Sequence, residues 1–200
     1  MQCEKPFSQA CENNKRAILG VLERTFANCK QVLEIGSGTG QHAVFFAEQI
    51  PSIEWQTSDL AHHHAGIRQW IDHSVCDNVL APIDLDVSQE PTWPLQNYAV
   101  VYSANTCHIM SWKEVQAMLR LVAKVLFSKG LFILYGPFNS EGQFTSQSNA
   151  NFDAYLKSQQ DHMGLRCLDE LKAAALLNQL RLSAMHEMPA NNKLLVFSKE

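Results

Sequence analysis

The chain has 200 residues, of which 46% are hydrophobic and 18% charged, so it can bury a core of ordinary domain size and is not expected to be disordered. Its 16 Lys and Arg against 20 Asp and Glu give a formal net charge of −4 without any run of like charges, which argues against a nucleic-acid partner. No segment is apolar enough to span a membrane or serve as a signal peptide, and the six cysteines show neither a C-x-x-C pair nor a zinc spacing, so we expect a cytoplasmic protein with reduced thiols.

Predicted helices and strands alternate along the chain. Apolar periodicity and turn residues predict, in order, a helix over 11–27, a strand running into the glycines of 36–40, a helix over 41–49, a strand over 53–58, a helix over 62–74, strands over 79–87 and 98–105, a helix over 112–127, a strand over 131–136, a long loop over 138–151, a helix over about 168–179 and two closing strands, RLSAMHEM and KLLVFSK. The short turn PANN makes the closing strands antiparallel. The pattern predicts one α/β domain over residues 1–200, with a seven-stranded, mostly parallel sheet, helices on both faces and an antiparallel C-terminal hairpin, as in the Rossmann-like class I methyltransferase fold.

The turn after the first strand, VLEIGSGTG at residues 32–40, is rich in glycine, which lets a backbone bend sharply and approach a ligand. A dinucleotide fingerprint would need a small residue at position 41, which is Gln41. The acid-x-G-x-G-x-G form instead predicts S-adenosylmethionine (SAM), whose ammonium group would lie near the negative charge of Glu34. The residues of this turn predicted to contact the cofactor are Glu34, Gly36, Ser37, Gly38 and Gly40.

Polar residues also end the next three strands, where ligands of open α/β sheets bind. Asp59, followed by Leu60, could accept both ribose hydroxyls. Asp86 could accept the adenine amino hydrogens, and backbone N–H groups near Leu85 could contact the adenine ring nitrogens. Asn105 is predicted beside the methionine end of the cofactor. Each acid alone could be a helix cap or a surface group, but their order favours a nucleoside-bearing cofactor.

Segments from about residue 11 to the C-terminus occur in the order of one known family. They are CENNK, VLEIGSGTGQHAVFFA, WQTSDL, SANTCHI, LFILYGPF, SNANFD, GLRCLDEL and EMPANNKLLVFS. On these segments the chain resembles an uncharacterised class I methyltransferase-like family, formerly described as a domain of unknown function. The resemblance implies the Rossmann-like methyltransferase fold and SAM binding, with Glu34, Gly36, Gly38, Asp59 and Asp86 as cofactor positions, and it implies no substrate.

The chain departs from that family in one place. Where the family has Asn-Met-Ile-His-Ile after the fourth strand, this chain has Asn105-Thr106-Cys107-His108-Ile109. Polar residues therefore replace an apolar pair, and we expect altered packing of this loop beside an unaltered cofactor site.

The candidate catalytic residues are His108 and Tyr135. Methyl transfer mainly needs alignment of nucleophile, carbon and sulfur, and a general base only if the nucleophile arrives protonated. His108 titrates near neutrality and could be that base, or it could orient the loop backbone. Tyr135 could orient substrate or pack in the core.

Candidate substrate residues lie on the predicted loop and after the fourth strand. Asn149 and, just beyond the loop, Asp153 could belong to a lid or binding loop, or to a solvated connection. Trp112 could line the mouth of the substrate site or begin a packed helix. The histidines at 62–64 are adjacent on a predicted helix and would point in different directions, so no metal site is predicted.

Three functions are compatible with these patterns. The first is a SAM-dependent methyltransferase acting on a small molecule, without nucleic-acid or membrane partners and with its oligomeric state open. The second is an NAD-dependent oxidoreductase, against which Gln41 and the closing hairpin count. The third is a cofactor-binding regulatory or assembly protein that performs no transfer.

Overall fold

The computed structural model describes residues 5–26 and 30–200. Over these residues strands and helices alternate along the chain, as predicted. The strands are β1 (Gln31–Glu34), β2 (Glu54–Asp59), β3 (Val79–Asp84), β4 (Tyr98–Ala104), β5 (Leu126–Asn139), β6 (Arg166–Cys167), β7 (Leu180–Met188) and β8 (Asn192–Lys199). The α-helices are α1 (Gln9–Thr25), α2 (Gln41–Gln49), α3 (His64–Asp72), α4 (Trp112–Val125), α5 (Gln147–Gln159) and α6 (Leu168–Leu176). Residue 27, the last of the predicted first helix, and two of the cysteines, Cys3 and Cys29, lie outside the described residues. Within the described ranges, no helix has the length and apolar character needed to cross a membrane.

One mixed sheet carries the fold, in the strand order β3-β2-β1-β4-β5-β8-β7. The strands from β3 to β5 pair in parallel, whereas β8 is antiparallel to both β5 and β7. The predicted seven-stranded, mostly parallel sheet with a C-terminal hairpin is therefore confirmed. The two-residue strand β6, which the sequence did not predict, pairs with the end of β5.

The strand order reverses beside β1. From β1 the chain moves outward to β2 and β3 on one side, then returns to place β4 and β5 on the other. In open α/β sheets the crevice beyond the carboxyl ends of the strands at such a reversal is the usual ligand site. The topology therefore places the turns after β1 and β4 side by side at that edge.

Alternating strand residues fill two cores, one on each face of the sheet, because successive side chains of a strand point to opposite faces. Val32 and Val100 pack with the buried face of α1 and α2. Their neighbours Leu33 and Val101 pack with α4 and α6 on the other face. All four side chains are fully buried, and burying each stabilises the fold by about 1.5–3 kcal/mol.

Helix α5 corrects the long loop predicted over 138–151. Strand β5 continues to Asn139, so only residues 140–146 connect it to α5. The buried positions of α5 are Asn149, Asp153 and Leu156, which have helical spacing. Because two of the three are polar, the buried face of this helix leaves no apolar periodicity in the sequence.

Candidate functional site

A cavity of about 770 Å³ lies over the carboxyl ends of β1, β2, β3 and β4. Its walls come from the turns after those strands, the start of α3, the segment leading into α1 and the connection between β4 and α4. The predicted cofactor residues that line it are Glu34, Gly36, Ser37, Gly38, Asp59, Leu60, Leu85, Asp86 and Asn105. Of the predicted set, Gly40 alone is not in the wall.

The glycine turn fits tightly between neighbouring loops. Gly36 has φ of 74°, and a Cβ there would lie 2.6 Å from the Cγ2 methyl of Thr106, so both conformation and space require glycine. Gly40, with φ of 89°, caps α2, and a Cβ there would meet Ile67 and Trp70 of α3 at 3.2 and 3.3 Å. Gly40 is therefore needed for packing of α2 against α3, which explains why it lies outside the cavity wall.

The Asp59 carboxylate is fixed in position at the end of β2. Its Oδ2 accepts the Gly38 N–H at 2.7 Å and its Oδ1 accepts the Leu60 N–H at 2.7 Å. The side chain keeps 12% exposure and lines the cavity. Since each carboxylate oxygen has two lone pairs, both can still accept a hydroxyl donor from a ligand. The site therefore offers two oriented, negatively charged acceptors beside the glycine turn.

Glu34 is a buried carboxyl group below the same turn. It accepts the Ser37 hydroxyl at 2.7 Å and the Trp55 indole N–H at 3.1 Å. Burial raises the pKa of Glu34 to about 7, outweighing the lowering effect of these two bonds, and the charge of Asp59 adds to the rise. A cation bound nearby would favour the ionised form, so Glu34 can respond to a positively charged ligand.

The turn after β3 differs in one respect from the prediction. The Leu85 N–H donates to the Asp59 carbonyl at 3.1 Å, so it is not available to an adenine ring nitrogen, and Leu85 lines the cavity as a buried apolar side chain. Asp86 accepts the Ser88 N–H and hydroxyl at 2.8 and 2.7 Å and the Gln89 amide at 2.8 Å. Burial alone would raise the pKa of Asp86, but these bonds lower it below its usual value. Asp86 is therefore an ionised acceptor with little capacity left for a ligand.

The loop after β4 retains good packing despite its departure from the family pattern. Asn105 adopts a left-handed φ of 59°, which asparagine tolerates, and its N–H donates to the Tyr135 carbonyl at 2.9 Å. The hydroxyls of Thr106 and Ser103 are hydrogen-bonded at 2.7 Å, so the buried polar group is satisfied. Burial raises the pKa of the Cys107 thiol to about 12, so this cysteine behaves as a small apolar side chain.

Neither predicted catalytic residue lines the cavity. His108 is buried, and the edge of one ring faces the other in its contact with Phe152, with the ring centroids 5.3 Å apart. The His108 carbonyl accepts the Gly164 N–H at 2.9 Å. Burial and, to a smaller extent, the charge of Arg166 lower the pKa of His108 to about 4, so its ring is neutral at neutral pH. Tyr135 packs in the core next to α1 and α2, and burial raises the pKa of its hydroxyl. Their catalytic roles stay predictions.

The predicted substrate residues also lie away from the cavity wall. Trp112 begins α4 and packs against the core. Asn149 and Asp153 form the buried polar face of α5, where Asp153 accepts the Leu165 N–H at 2.8 Å. These contacts hold α5 to the chain that follows it, and the substrate roles of the three residues stay predictions.

The segment before α1 forms a wall that the sequence did not predict. Pro6 and Ser8 line the cavity. The Trp70 indole N–H of α3 donates to the Pro6 carbonyl at 2.6 Å, and the Ser8 N–H donates to the side-chain oxygen of Gln41. The segment is therefore fastened to α2 and α3 through contacts between residues distant in sequence, which periodicity cannot reveal.

A further unpredicted wall is formed by Ile109, Met110 and Glu114 together with His162 from the turn after α5. Arg166 holds its two segments together. The Arg166 Nε donates to the Cys107 carbonyl at 3.0 Å, and its Nη2 donates to the carbonyls of Met110 and, at 2.8 Å, His162. This arginine belongs to GLRCLDEL, one of the segments on which the family resemblance rests, but only the structure shows its three acceptors.

The sequence led us to expect that the side chains of the three adjacent histidines point in different directions, but two of them lie together. His62 and His63 belong to a 3-10 turn, their ring centroids are 4.1 Å apart, and both line the cavity. His64 points elsewhere, with its Nε2 3.0 Å from the Asp59 carbonyl. Within residues 5–26 and 30–200, no three or more His, Cys, Asp or Glu side chains are grouped so as to hold a metal ion.

Solved structures similar to this chain share its fold at low sequence identity. An O-methyltransferase family protein from Burkholderia thailandensis matches over 93% of this chain and 56% of its own, with a TM-score of 0.83 and 14% identity. Human N-acetylserotonin methyltransferase, solved in complex with SAM, matches over 96% and 53%, with a TM-score of 0.81 and 12% identity. PigF, solved with SAH, matches over 92% and 61%, with a TM-score of 0.77 and 17% identity. The chain thus spans little more than half the length of these structures.

The strand order, the closing hairpin and these likenesses define a Rossmann-like class I methyltransferase fold. Within that class, the chain belongs to the family described as protein of unknown function DUF938, whose model matches residues 5–199. The resemblance inferred from the sequence segments is therefore confirmed at the level of family and fold.

Proposed function

We propose that this chain binds SAM in the strand-end cavity and transfers its methyl group to a small molecule. The observation that carries the proposal is the Asp59 carboxylate, held by the N–H groups of Gly38 and Leu60 where the strand order reverses. Two oriented acceptors at this position suit the paired hydroxyls of a ribose. The solved methyltransferases that share the fold, including those with SAM or SAH, support the same reading.

The remaining wall residues fit the other parts of SAM. Leu60 and Leu85 offer apolar surface to an adenine ring, and Asn105 lies where the methionine end would extend over β4. Glu34 would stabilise the positive charge of the ammonium group through ionisation on binding, directly or through the turn backbone. The chain would thus hold the cofactor by a charged group at the ribose and another near the ammonium group.

When bound, SAM supplies an electrophilic methyl group whose leaving group is a neutral thioether. The chain's own residues therefore need chiefly to orient the acceptor and exclude water. The segment at Pro6 and Ser8, bound to α2 and α3, and the loop at Met110, bound by Arg166, both form part of the cavity wall and would serve that purpose. A proton acceptor is needed only for a substrate that arrives protonated. His108, predicted for this role from the sequence, is buried and does not line the cavity.

Three measurements test the proposal. Calorimetric titration with SAM and fluorescence titration with NADH decide the cofactor, and we expect SAM to bind and NADH not to bind. Incubation of a metabolite extract with methyl-labelled SAM, followed by mass spectrometry, should then reveal labelled small molecules. Binding of NADH in place of SAM would refute the proposal. SAM binding without any labelled product would instead indicate a cofactor-binding regulatory or assembly protein.

A further inference from the structure

We infer that the methyl acceptor is a neutral or positively charged small molecule that contacts Glu114, in preference to an anionic one. This inference rests on the proposed function and adds the charge class of the substrate. It starts from the charges in the cavity wall. The carboxyl groups there belong to Glu34, Asp59, Asp86 and Glu114. No lysine or arginine of the described chain lines the cavity, whereas four histidines do, namely His42, His62, His63 and His162. Burial lowers the pKa of His42 to about 4, so its ring is neutral, and His63 lies beside Asp59, with Nε2 4.0 Å from Oδ1.

Glu114 is the carboxylate that the cofactor does not account for. The other three follow β1, β2 and β3, whereas Glu114 lies in the first turn of α4, next to the apolar wall residues Ile109 and Met110. Its Oε2 accepts the Ser111 N–H at 2.6 Å in a capping box. The second oxygen carries no hydrogen bond within the described residues, so the side chain presents a free anionic acceptor.

Within the described residues, no cationic side chain is in direct contact with this carboxylate. Among the described residues, Glu114 takes part in no ion pair. Arg166 interacts with it electrostatically, but the guanidinium is bound to the carbonyls of Cys107, Met110 and His162 and does not line the cavity. Arg166 is therefore not presented to a ligand, and no guanidinium or ammonium is available to pair with a phosphate or carboxylate.

The volume leaves room for such an acceptor beside the nucleoside. At about 770 Å³ the cavity lies in the upper part of the range of about 300–1,000 Å³ typical of small-molecule sites. An anion beside the bound cofactor would meet the Glu114 carboxylate in a partly buried space, where charges are weakly screened and repulsion is strong. A cation or a hydroxyl donor would be attracted to the free oxygen of Glu114, while its apolar part packs on Ile109 and Met110.

The test measures binding rather than turnover, so that it does not require the natural acceptor. The protein is saturated with S-adenosylhomocysteine and titrated, by saturation-transfer NMR, with triplets of fragments that share an apolar skeleton, such as phenethylamine, phenethyl alcohol and hydrocinnamate. We expect the ammonium member to bind about tenfold more tightly than the carboxylate member. Equal binding of the two, or binding of neither the ammonium nor the alcohol members, would overturn the inference.

The variant Glu114→Gln isolates the charge, because glutamine also serves at this position of a capping box and the helix start is retained. The preference for ammonium over carboxylate fragments should fall to about threefold or less in this variant. Glu23→Gln, an exposed site on α1 without an ion pair in the described chain, is the matched control and should keep the full preference. An unchanged preference in Glu114→Gln contradicts the inference, whereas failure of S-adenosylhomocysteine to bind the wild type contradicts the proposed function itself.

Discussion

Replacement of Asp59 by alanine is the sharpest perturbation of the proposed cofactor site. The change removes both oxygens offered to the ribose, and with them the acceptors for the Gly38 and Leu60 N–H groups. Asp84 provides a matched control, because it is the strand-pairing partner of Asp59 on β3, is exposed and does not line the cavity. Asp84→Ala therefore makes the same change in charge and size one strand away.

The structure sets the size of the expected effect. Loss of charge-assisted hydrogen bonds to the ribose should weaken SAM binding by roughly 1–3 kcal/mol, or about 5–150-fold in Kd. The two N–H groups left without Asp59 lie at the exposed cavity surface, where water can replace the carboxylate. The free energy of unfolding should consequently fall by less than about 1 kcal/mol. The loss of affinity should thus exceed the loss of stability.

Calorimetry of SAM binding and urea denaturation measure these two quantities on the same variants. We expect Asp59→Ala to bind weakly while remaining folded, and Asp84→Ala to match the wild type in both respects. Equal affinity of Asp59→Ala and wild type would refute the ribose assignment. A comparable loss in Asp84→Ala would show that general electrostatics, rather than this contact, governs binding.

Three other perturbations address groups around the cavity. Because the pKa of Glu34 rises from 4.5 to about 7 on folding, its neutral form stabilises the folded state fully below pH 4.5, and this stabilisation is lost as the pH rises through 7. Urea denaturation across this range should show a decline in the free energy of unfolding. The decline should be smaller in Glu34→Gln. Arg166→Ala leaves three carbonyls without their donor and should lower the free energy of unfolding by about 1–3 kcal/mol, with partial recovery in Arg166→Lys; an unchanged denaturation midpoint would argue against the clamp. Gly36→Ala forces a Cβ against the Thr106 methyl and should cost about 1–3 kcal/mol by the same assay. Adding Thr106→Ser, which removes that methyl, should recover part of the loss, and no recovery would show that backbone strain alone is responsible.

The parts of the fold predicted from sequence are those encoded by local patterns. The glycine turn after β1 and the closing hairpin could be identified because turn chemistry and strand periodicity act over a few residues. Helix α5 was not identified, because Asn149 and Asp153 occupy buried positions that periodicity assigns to apolar residues. In the structure the buried Asp153 carboxylate accepts a hydrogen bond from the Leu165 N–H. These two residues are too far apart in the sequence for a local pattern to predict the contact.

The sequence by itself determined the order of the strands' end residues, and so placed Glu34, Gly38 and Asp59 at one edge of the sheet. Only the tertiary structure decided what encloses them. Glu114 and His162 come from separate segments that Arg166 joins through backbone carbonyls. The positions of strand-end residues follow from the regular geometry of a parallel sheet. The rest of the cavity wall depends on packing and hydrogen bonds between residues distant in sequence, which produce no periodic pattern.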